Sequence, residues 1–193
     1  MNQTEHHYSD ELCQVTAQFI KELAGQYNHI HSKILDFGCG NGNLTEYVQD
    51  LFWHSKITGV DQSEESIKSA REDFPAIEFQ STGDRLPFAD QAFDIVYSAY
   101  VFHHIEKSKR SFWIDELARV TKKDGMIIIL EFNPFHIPTA FHFLFNKEEK
   151  GAPIIFPSSL IDLMGKFSAP NVHYYPRSRF SSSMYAVRAL VDR

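Results

Sequence analysis

The chain has 193 residues, enough for one domain with a sizeable hydrophobic core. Hydrophobic residues make up 43% and charged residues 23%, proportions typical of a globular protein. The formal net charge of −6, with no basic stripe, argues against a nucleic-acid partner. We interpret the two basic clusters, Lys107–Arg110 and Lys122–Lys123, as solvated helix ends.

The compartment expected from the sequence is the cytoplasm. The N-terminal stretch is polar and acidic and lacks the apolar core of a signal peptide. No apolar run approaches the roughly 18 residues of a spanning helix, so we expect no stable membrane insertion. The two cysteines, Cys13 and Cys39, fall in a predicted helix and a glycine-rich loop, which makes a disulfide between them improbable.

Hydrophobic periodicity predicts alternating helices and strands. Ser9 and Ser63 are predicted N-caps, and the predicted helices are 10–25, 43–52, 63–72, 107–121 and 158–167. Short apolar runs predict strands over 33–37, 56–60, 77–80, 93–98, 126–132, 172–175 and 184–191. This alternation indicates a single doubly wound α/β domain over 1–193, with a parallel sheet built from right-handed crossovers.

The first strand leads into a glycine-rich loop, KILDFGCGNGN at 33–43. Gly38, Gly40 and Gly42 would let a ligand approach the backbone closely, and the following helix start offers unpaired N–H groups. The loop predicts a site for a nucleotide-bearing cofactor, although a tight turn without a ligand is the alternative.

Acidic residues at two strand ends narrow the cofactor class. Asp61 ends the second predicted strand, where a carboxylate can accept from both hydroxyls of a ribose. Asp36 would repel a pyrophosphate but suits a ligand that carries an ammonium group. Asn43 stands where a dinucleotide-binding motif has its third glycine, and Gly83–Asp84 could frame an adenine. An amino-acid-bearing nucleotide is therefore favoured over NAD.

Four segments, LDFGCGNG, GVDQS, GDRLPFADQAFDIVYS and YVFHHI, resemble successive motifs of the class I S-adenosylmethionine-dependent methyltransferases, small-molecule branch. The resemblance covers roughly residues 30–135. It implies a Rossmann-like, mostly parallel seven-stranded sheet with helices on both faces and an antiparallel C-terminal hairpin. It also implies methyl transfer from S-adenosyl-L-methionine to a small-molecule acceptor.

The same resemblance implies which residues contact the cofactor. Asp36 would hold the methionine amino group, usually through water, Asp61 the ribose and Asp84 the adenine amine. The full implied set is Asp36, Gly38, Cys39, Gly40, Asn41, Gly42, Asp61, Gln62, Gly83, Asp84, Ser98 and Ala99. Cys39 is otherwise a small residue that fills the loop.

His103 and His104 are the candidate catalytic residues, because an oxygen or nitrogen acceptor has to lose a proton and imidazole is a suitable base. The alternative is that they bond locally and only shape the pocket. Adjacent histidines, here and at His6–His7, lack the spacing of a zinc site, so no metal is expected.

The acceptor site is expected outside the shared core. Helix 10–25 within an N-terminal segment 1–30 would form a lid, and 136–193 would supply the acceptor side and the terminal strand pair. The predicted substrate contacts are Tyr8, Phe132, Asn133 and His136. An aromatic wall would consist of Phe132, Phe135, His136, Phe141, His142, Phe143 and Phe145.

Such a wall fits an aromatic or lipid-linked acceptor, with core packing or a protein interface as the alternative. The E-x-N-P-F segment at 131–135 also resembles methyltransferases that act on sugars or isoprenoid-linked intermediates. Two other functions stay open: a non-catalytic S-adenosylmethionine-binding protein and an NAD-dependent oxidoreductase. The protein is expected to be a monomer or a homodimer.

Overall fold

A computed structural model describes residues 9–25, 31–136, 154–175 and 183–192. The helices in this part of the chain are α1 (Asp10–Ala24), α2 (Asn43–Leu51), α3 (Glu64–Asp73), α4 (Lys107–Val120) and α5 (Pro157–Met164). The strands are β1 (Lys33–Phe37), β2 (Lys56–Asp61), β3 (Glu78–Ser81), β4 (Phe93–Ala99), β5 (Thr121–Phe132), β6 (Ser168–Tyr175) and β7 (Met184–Leu190). The residues Tyr8, Phe141, His142, Phe143 and Phe145, named above for the acceptor site, lie outside the described residues.

All seven strands belong to one sheet with the order β3-β2-β1-β4-β5-β7-β6. Strands β1 to β5 pair in parallel, whereas β7 is antiparallel to both β5 and β6. The predicted Rossmann-like sheet with an antiparallel C-terminal hairpin is therefore confirmed. The strand order reverses between β1 and β4, and ligands of open α/β sheets bind at such a switch point.

Alternating residues of the buried strands pack into two hydrophobic cores, one on each face of the sheet. Ile34 of β1 packs with α1 and α2, whose buried residues share its cluster. The next residue, Leu35, packs on the opposite face with Trp113 and Leu117 of α4. Both faces are thus covered, and the ligand-binding edge is left to the loops at the carboxyl ends of the strands.

Two strands begin earlier than the sequence predicts. Strand β5 starts at Thr121 instead of Met126, because Thr121 pairs with Phe93 before the register shifts. The residues of this stretch are polar, so no apolar run indicated a strand there. Asp124 has a positive φ of 61° in this stretch. Edge strand β6 starts at Ser168 instead of Val172, and its half-exposed residues lack an apolar alternation.

Helix α1 begins where Ser9 caps it, with its hydroxyl accepting from the Leu12 N–H at 3.3 Å. Its inner face is part of the core, since Ala17 and Ile20 are fully buried. The hydroxyl of Thr16 lies 2.9 Å from that of Tyr100, beside the carboxyl edge of the sheet. That α1 acts as a lid over the cofactor stays a prediction. Its packing in the hydrophobic core is what the structure shows.

A polar network fixes the loop that follows β3. The carboxylate of Glu116 on α4 accepts from Arg119 Nε at 2.8 Å, the Leu86 N–H at 3.1 Å and Arg85 Nε at 3.2 Å. Arg119 also donates to the Phe88 carbonyl at 2.7 Å. These bonds, led by the one from Arg119, lower the pKa of Glu116 to about 2.

This network predicts an acid-dependent loss of stability. Because the folded-state pKa of Glu116 lies below its ordinary 4.5, its contribution is complete above about pH 4.5 and is lost as the pH falls toward 2. We expect Glu116→Gln to lower the melting temperature at pH 7 and to flatten its decline in that acidic window. Circular dichroism melts between pH 2.5 and 7 measure both effects, with Glu64→Gln, at an exposed acid in the first turn of α3, as control. Equal acid slopes for Glu116→Gln and wild type would contradict the prediction.

Candidate active site

The glycine loop follows β1 and folds over the end of β2. The N–H groups of Gly38 and Cys39 both donate to the Val60 carbonyl, at 2.8 and 3.0 Å. Gly38 has φ +81°, and a Cβ on it would lie 2.3 Å from Val101 Cγ2. Gly40 has φ +52° with open space where a Cβ would stand. Bare backbone therefore faces the edge of the sheet at this point.

Asp61 joins the glycine loop to the end of β2. Its Oδ2 accepts from the Gly40 N–H at 3.0 Å, and its Oδ1 accepts from the Ser63 N–H at 2.8 Å. These bonds fix the carboxylate without using all its acceptor capacity, because two carboxylate oxygens offer about four lone-pair sites. The remaining capacity suits the two hydroxyls of a ribose.

Asp36 is a buried acid in the middle of β1, only 2% exposed. Its Oδ2 accepts from Thr45 Oγ1 at 2.7 Å and from the Tyr97 hydroxyl at 2.8 Å. Burial raises the pKa of Asp36 to about 7, the two hydrogen bonds oppose that rise, and the charge of Asp61 adds to it. A cation bound beside Asp36 would stabilise its ionised form.

These residues line a cleft of about 820 Å³ at the carboxyl ends of β1, β2 and β4. Nine of the predicted cofactor and catalytic residues line it: Asp36, Gly38, Cys39, Gly40, Asn41, Asp61, Gln62, Ala99 and His104. The sequence interpretation missed other lining residues, notably Thr82, Tyr100, Val101, Ile105 and Trp113. Thr82 could have been found from its place, since it directly follows β3.

Four predicted cofactor residues lie elsewhere than in the lining of this cleft. Gly42 is the N-cap of α2 with φ +85°, and a Cβ there would lie 2.8 Å from the Phe79 ring. Gly83 and Asp84 are exposed in the turn after β3. Ser98 is fully buried. Cofactor contacts from these four stay predictions.

Cys39 lines the cleft but is mostly buried, and its Sγ lies 3.6 Å from the Gly40 carbonyl. Burial, with the charges of Asp36 and Asp61, holds the pKa of its thiol well above the ordinary value. A thiol that stays protonated is a poor nucleophile. The residue therefore serves the packing of the loop, and a Cβ on neighbouring Gly59 would come within 2.9 Å of its sulfur.

The hydroxyl of Ser98 is an unusual group in β4. Its neighbours Tyr97 and Ala99 both pack on the α1 side, so the Ser98 side chain points to the α4 side. Its Oγ is buried and has no hydrogen-bond partner among the described residues. Burying such a hydroxyl costs about 1–3 kcal/mol.

We expect Ser98→Ala to leave the free energy of unfolding unchanged or to raise it, because the substitution removes an unpaired polar atom. Urea denaturation measures this, and calorimetry should give the wild-type affinity for S-adenosylmethionine. Thr45→Val is the contrasting variant, since it removes a hydroxyl that does bond Asp36. Weaker binding in Ser98→Ala would instead support the cofactor contact predicted from the sequence.

The candidate catalytic histidines occupy a turn after β4, where the His104 N–H donates to the Val101 carbonyl at 2.9 Å. His103 is 2% exposed, and its Nδ1 lies 2.7 Å from Glu131 Oε2. His104 is exposed and lines the cleft, and the centroids of the two imidazole rings are 4.0 Å apart. Only His104 of the pair lines the cleft.

Tyr100, which follows β4, has φ +61°, a strained backbone for a bulky residue. Its ring stacks on Phe132 with centroids 4.3 Å apart. Asn133 is fully buried, and its Oδ1 accepts from the Phe135 N–H at 3.1 Å. The His136 N–H donates to the Asn133 carbonyl at 3.2 Å, closing a turn. Substrate contacts from Phe132, Asn133 and His136 stay predictions.

Comparison with known proteins identifies the family. Residues 35–129 match a family model described as a methyltransferase domain, and this match spans the glycine loop, Asp61 and both histidines. Within these residues the chain carries a methyltransferase domain, and the match supports a class I S-adenosylmethionine-dependent methyltransferase. Among the described residues no helix is long and apolar enough to cross a membrane, and no group of three or more metal-ligating side chains occurs.

One relative of this methyltransferase is the ubiquinone/menaquinone biosynthesis C-methyltransferase UbiE of Campylobacter jejuni, 33% identical over 106 residues. That match covers 52% of the chain and 44% of the relative, so the chain spans less than half the length of that protein. A SAM-dependent methyltransferase from Archaeoglobus fulgidus has the same fold, with a TM-score of 0.75, 16% identity and 94% of each chain covered. The plantazolicin methyltransferase BpumL also has it, with a TM-score of 0.75 and 18% identity, over 94% of this chain and 85% of that one.

The side chains of the cleft fit the cofactor of this family. Asp61 provides acceptors for ribose hydroxyls, and Asp36 provides a negative charge for an amino group. The open space beside Gly40 leaves room for a ligand against bare backbone. The site therefore offers partners for the ribose hydroxyls and for the amino group of an adenosyl amino acid.

Asp36 should lower the free energy of unfolding of the cofactor-free protein, although it favours binding of the cofactor. Because its folded pKa lies above the ordinary 3.8, the free energy of unfolding should fall as the pH rises from about 4 through about 7. We expect Asp36→Asn to raise the melting temperature of the cofactor-free protein at pH 8, by the equivalent of a few kcal/mol. The same variant should bind S-adenosylmethionine at least about tenfold more weakly.

Thermal melts at pH 5 and pH 8, followed by calorimetric titration, measure both consequences of this substitution. The wild-type and variant melting temperatures should converge at the lower pH. A variant that is less stable than wild type at pH 8 would show that the ionised carboxylate is well accommodated.

Proposed function

We propose that this chain transfers a methyl group from S-adenosylmethionine to a small-molecule acceptor. The observation that carries the proposal is that Asp36, Asp61 and bare glycine backbone meet in one cleft at the β1/β4 switch point. The cofactor, when bound, supplies a methyl group already activated by the positive charge on sulfur. The chain then has to bind both ligands, align the acceptor and exclude water.

The acceptor class proposed is a ring compound, aromatic or isoprenoid-linked, ahead of a sugar. Apolar side chains of Ile105 and Trp113 line the cleft, as does Tyr100, whose ring stacks on that of Phe132. The name of the Campylobacter jejuni relative places that protein in quinone biosynthesis, which supports a ring acceptor here. The charge of −6 gives no support to a nucleic-acid acceptor.

His104 is proposed to take the proton when the acceptor atom carries one. Its imidazole lines the cleft and is also exposed, so a proton bound at a ring nitrogen can pass on to solvent. General bases of this kind contribute about 10²–10⁴-fold in rate. A cytoplasmic setting belongs to the proposal and is supported by Cys13 and Cys39, which are both free thiols.

Two measurements test the function. Calorimetric titration with S-adenosylmethionine, with NAD in parallel, should give micromolar binding of the former only. Mass spectrometry should then detect S-adenosylhomocysteine and a methylated product when menadiol, catechol or glucose is added. Binding without turnover across a wide acceptor panel would favour the non-catalytic alternative, and binding of NAD alone would overturn the cofactor.

A further inference from the structure

Glu131 and Arg110 are two buried side chains near the histidine turn, and neither has a place in the function proposed above. Glu131 lies near the end of β5 and is 2% exposed. Arg110, in the second turn of α4, is 7% exposed, so the expectation that Lys107–Arg110 forms a solvated helix end is wrong for this residue. Charged side chains are rarely buried to this extent unless other groups compensate them.

Glu131 holds His103 through both of its carboxylate oxygens. Oε2 lies 2.7 Å from Nδ1 of the ring, and Oε1 accepts from the main-chain N–H of the same residue at 3.3 Å. A carboxylate in this position favours the tautomer with its proton on Nδ1. Ring and backbone of His103 are thereby fixed together.

Arg110 is a basic side chain of α4 whose charge acts on Glu131. Its Nε donates to the Ile105 carbonyl at 3.0 Å, which anchors the side chain under the histidine turn. Burial lowers the pKa of Arg110, and the charge of Glu131 acts in the opposite direction. A guanidinium stays protonated in proteins, so Arg110 carries a positive charge.

The two imidazole rings connect Glu131 to the cleft. The His103 and His104 ring centroids lie 4.0 Å apart, and only His104 lines the cleft. The turn that carries them is closed by the bonds from His104 N–H to Val101 and from Ile105 N–H to Phe102. A ring that packs against a fixed neighbour on a closed turn has few orientations left.

We infer that Glu131 is a positioning residue for the acceptor step, which fixes His103 and through it the orientation of His104 in the cleft. The inference rests on the proposed function, because His104 needs an acceptor to act on. Its consequence for the reaction is that the proton leaving the acceptor goes to a ring nitrogen of His104 and then to solvent. Glu131 and His103 keep their own protonation states throughout.

The groups that face His103 define what a pH titration can report. Glu131 from β5 bonds the ring and His104 of the same turn packs against it, while Arg110 from α4 and Tyr185 from β7 act on Glu131. Burial holds the pKa of the Tyr185 phenol far above its ordinary value, so it stays neutral between pH 5 and 9.

Histidine ¹⁵N NMR tests the inference without any acceptor. In wild type at pH 8 the ring of His103 should show the Nδ1–H tautomer alone, with His103→Gln and His104→Gln used to assign the signals. In Glu131→Gln the His103 signals should indicate mixed tautomers, and the His104 ring signals should shift and broaden. Unchanged tautomer and unchanged His104 signals in Glu131→Gln would overturn the inference.

Glu116→Gln is the matched control. It also neutralises a buried carboxylate on the same face of the sheet, but the hydrogen bonds of Glu116 do not go to the histidines. It should lower stability and leave both imidazole spectra unchanged. Glu131→Asp, which keeps the charge, should retain part of the tautomer preference and covers the case in which Glu131→Gln does not fold. Equal spectral changes in Glu116→Gln and Glu131→Gln would reduce Glu131 to a structural role.

Turnover, once an acceptor such as menadiol is found, gives a second readout. Glu131→Gln should lower kcat about ten- to a hundredfold and move the acidic limb of the pH profile, with KM for S-adenosylmethionine unchanged. An unchanged pH profile with a lower kcat would contradict the positioning role. If no acceptor is turned over, the proposed function fails while the NMR result still decides the role of Glu131.

Discussion

Asp61→Ala should abolish measurable binding of S-adenosylmethionine at micromolar concentrations. The variant lacks the carboxylate that would accept hydrogen bonds from the ribose hydroxyls in the cleft. Hydrogen bonds to a charged group contribute about 1.5–3 kcal/mol each, so the loss of two corresponds to a weakening of at least about a hundredfold. Calorimetric titration of wild type and variant measures it directly.

The same substitution should also loosen the glycine loop. The carboxylate accepts from the N–H groups of Gly40 and Ser63, and both donors lose their partner in the variant. Circular dichroism must therefore show that Asp61→Ala is folded at the titration temperature. Glu64→Gln, at an exposed acid in the first turn of α3, is the matched control and should bind as wild type does.

Wild-type affinity in a folded Asp61→Ala protein would remove the central acceptor from the proposed site. Asp61→Asn refines the result, since it keeps one acceptor oxygen but presents an amide donor to one of the two N–H groups. An affinity between those of wild type and Asp61→Ala would separate the loss of charge from the loss of the acceptor atom.

Much of the cofactor side could be predicted from the sequence, because it depends on local patterns. Glycines at alternate positions after a short apolar run need a particular backbone, and an acid at the end of the next strand falls beside them by topology. Gly38, Gly40, Asp36 and Asp61 were predicted on that basis, and all four line the cleft. Their positions in the sequence are enough to place them together, because the carboxyl ends of parallel strands lie at one edge of the sheet.

The surroundings of the two histidines could not be predicted in the same way, because their contacts join residues far apart in the chain. Glu131 meets His103 only because β4 and β5 are neighbours in the sheet. Arg110 follows three exposed polar residues, and only the tertiary packing of α4 shows that its side chain turns inward. Ser98 shows why position in the chain alone is not enough. It is adjacent to a residue that lines the cleft, but its own side chain points to the other face of the sheet.

Gly38→Ala should be the most destabilising single-methyl substitution in the glycine loop. The new Cβ would lie 2.3 Å from Val101 Cγ2 and 2.9 Å from Cγ1, in a backbone with φ +81°. The positive φ costs about 1–2 kcal/mol for a non-glycine residue. Val101 is stiff at χ1, so the overlap adds about 1–3 kcal/mol in overpacking.

Together these costs amount to about 2–5 kcal/mol, against a total stability of about 5–15 kcal/mol for a domain. Urea denaturation of the cofactor-free protein should show the midpoint shifted accordingly. Gly40→Ala is the matched control: its φ of +52° imposes strain, but a Cβ there meets nothing within 4 Å. It should cost only about 1–2 kcal/mol.

The double variant Gly38→Ala/Val101→Ala separates strain from overlap. Removing both Val101 methyl groups that the new Cβ would meet should bring Gly38→Ala close to the cost of Gly40→Ala, measured relative to Val101→Ala alone. If Gly38→Ala and Gly40→Ala cost the same in the presence of Val101, the loop yields to the new methyl group. The close approach of Val101 to the backbone would then not be what requires glycine at position 38.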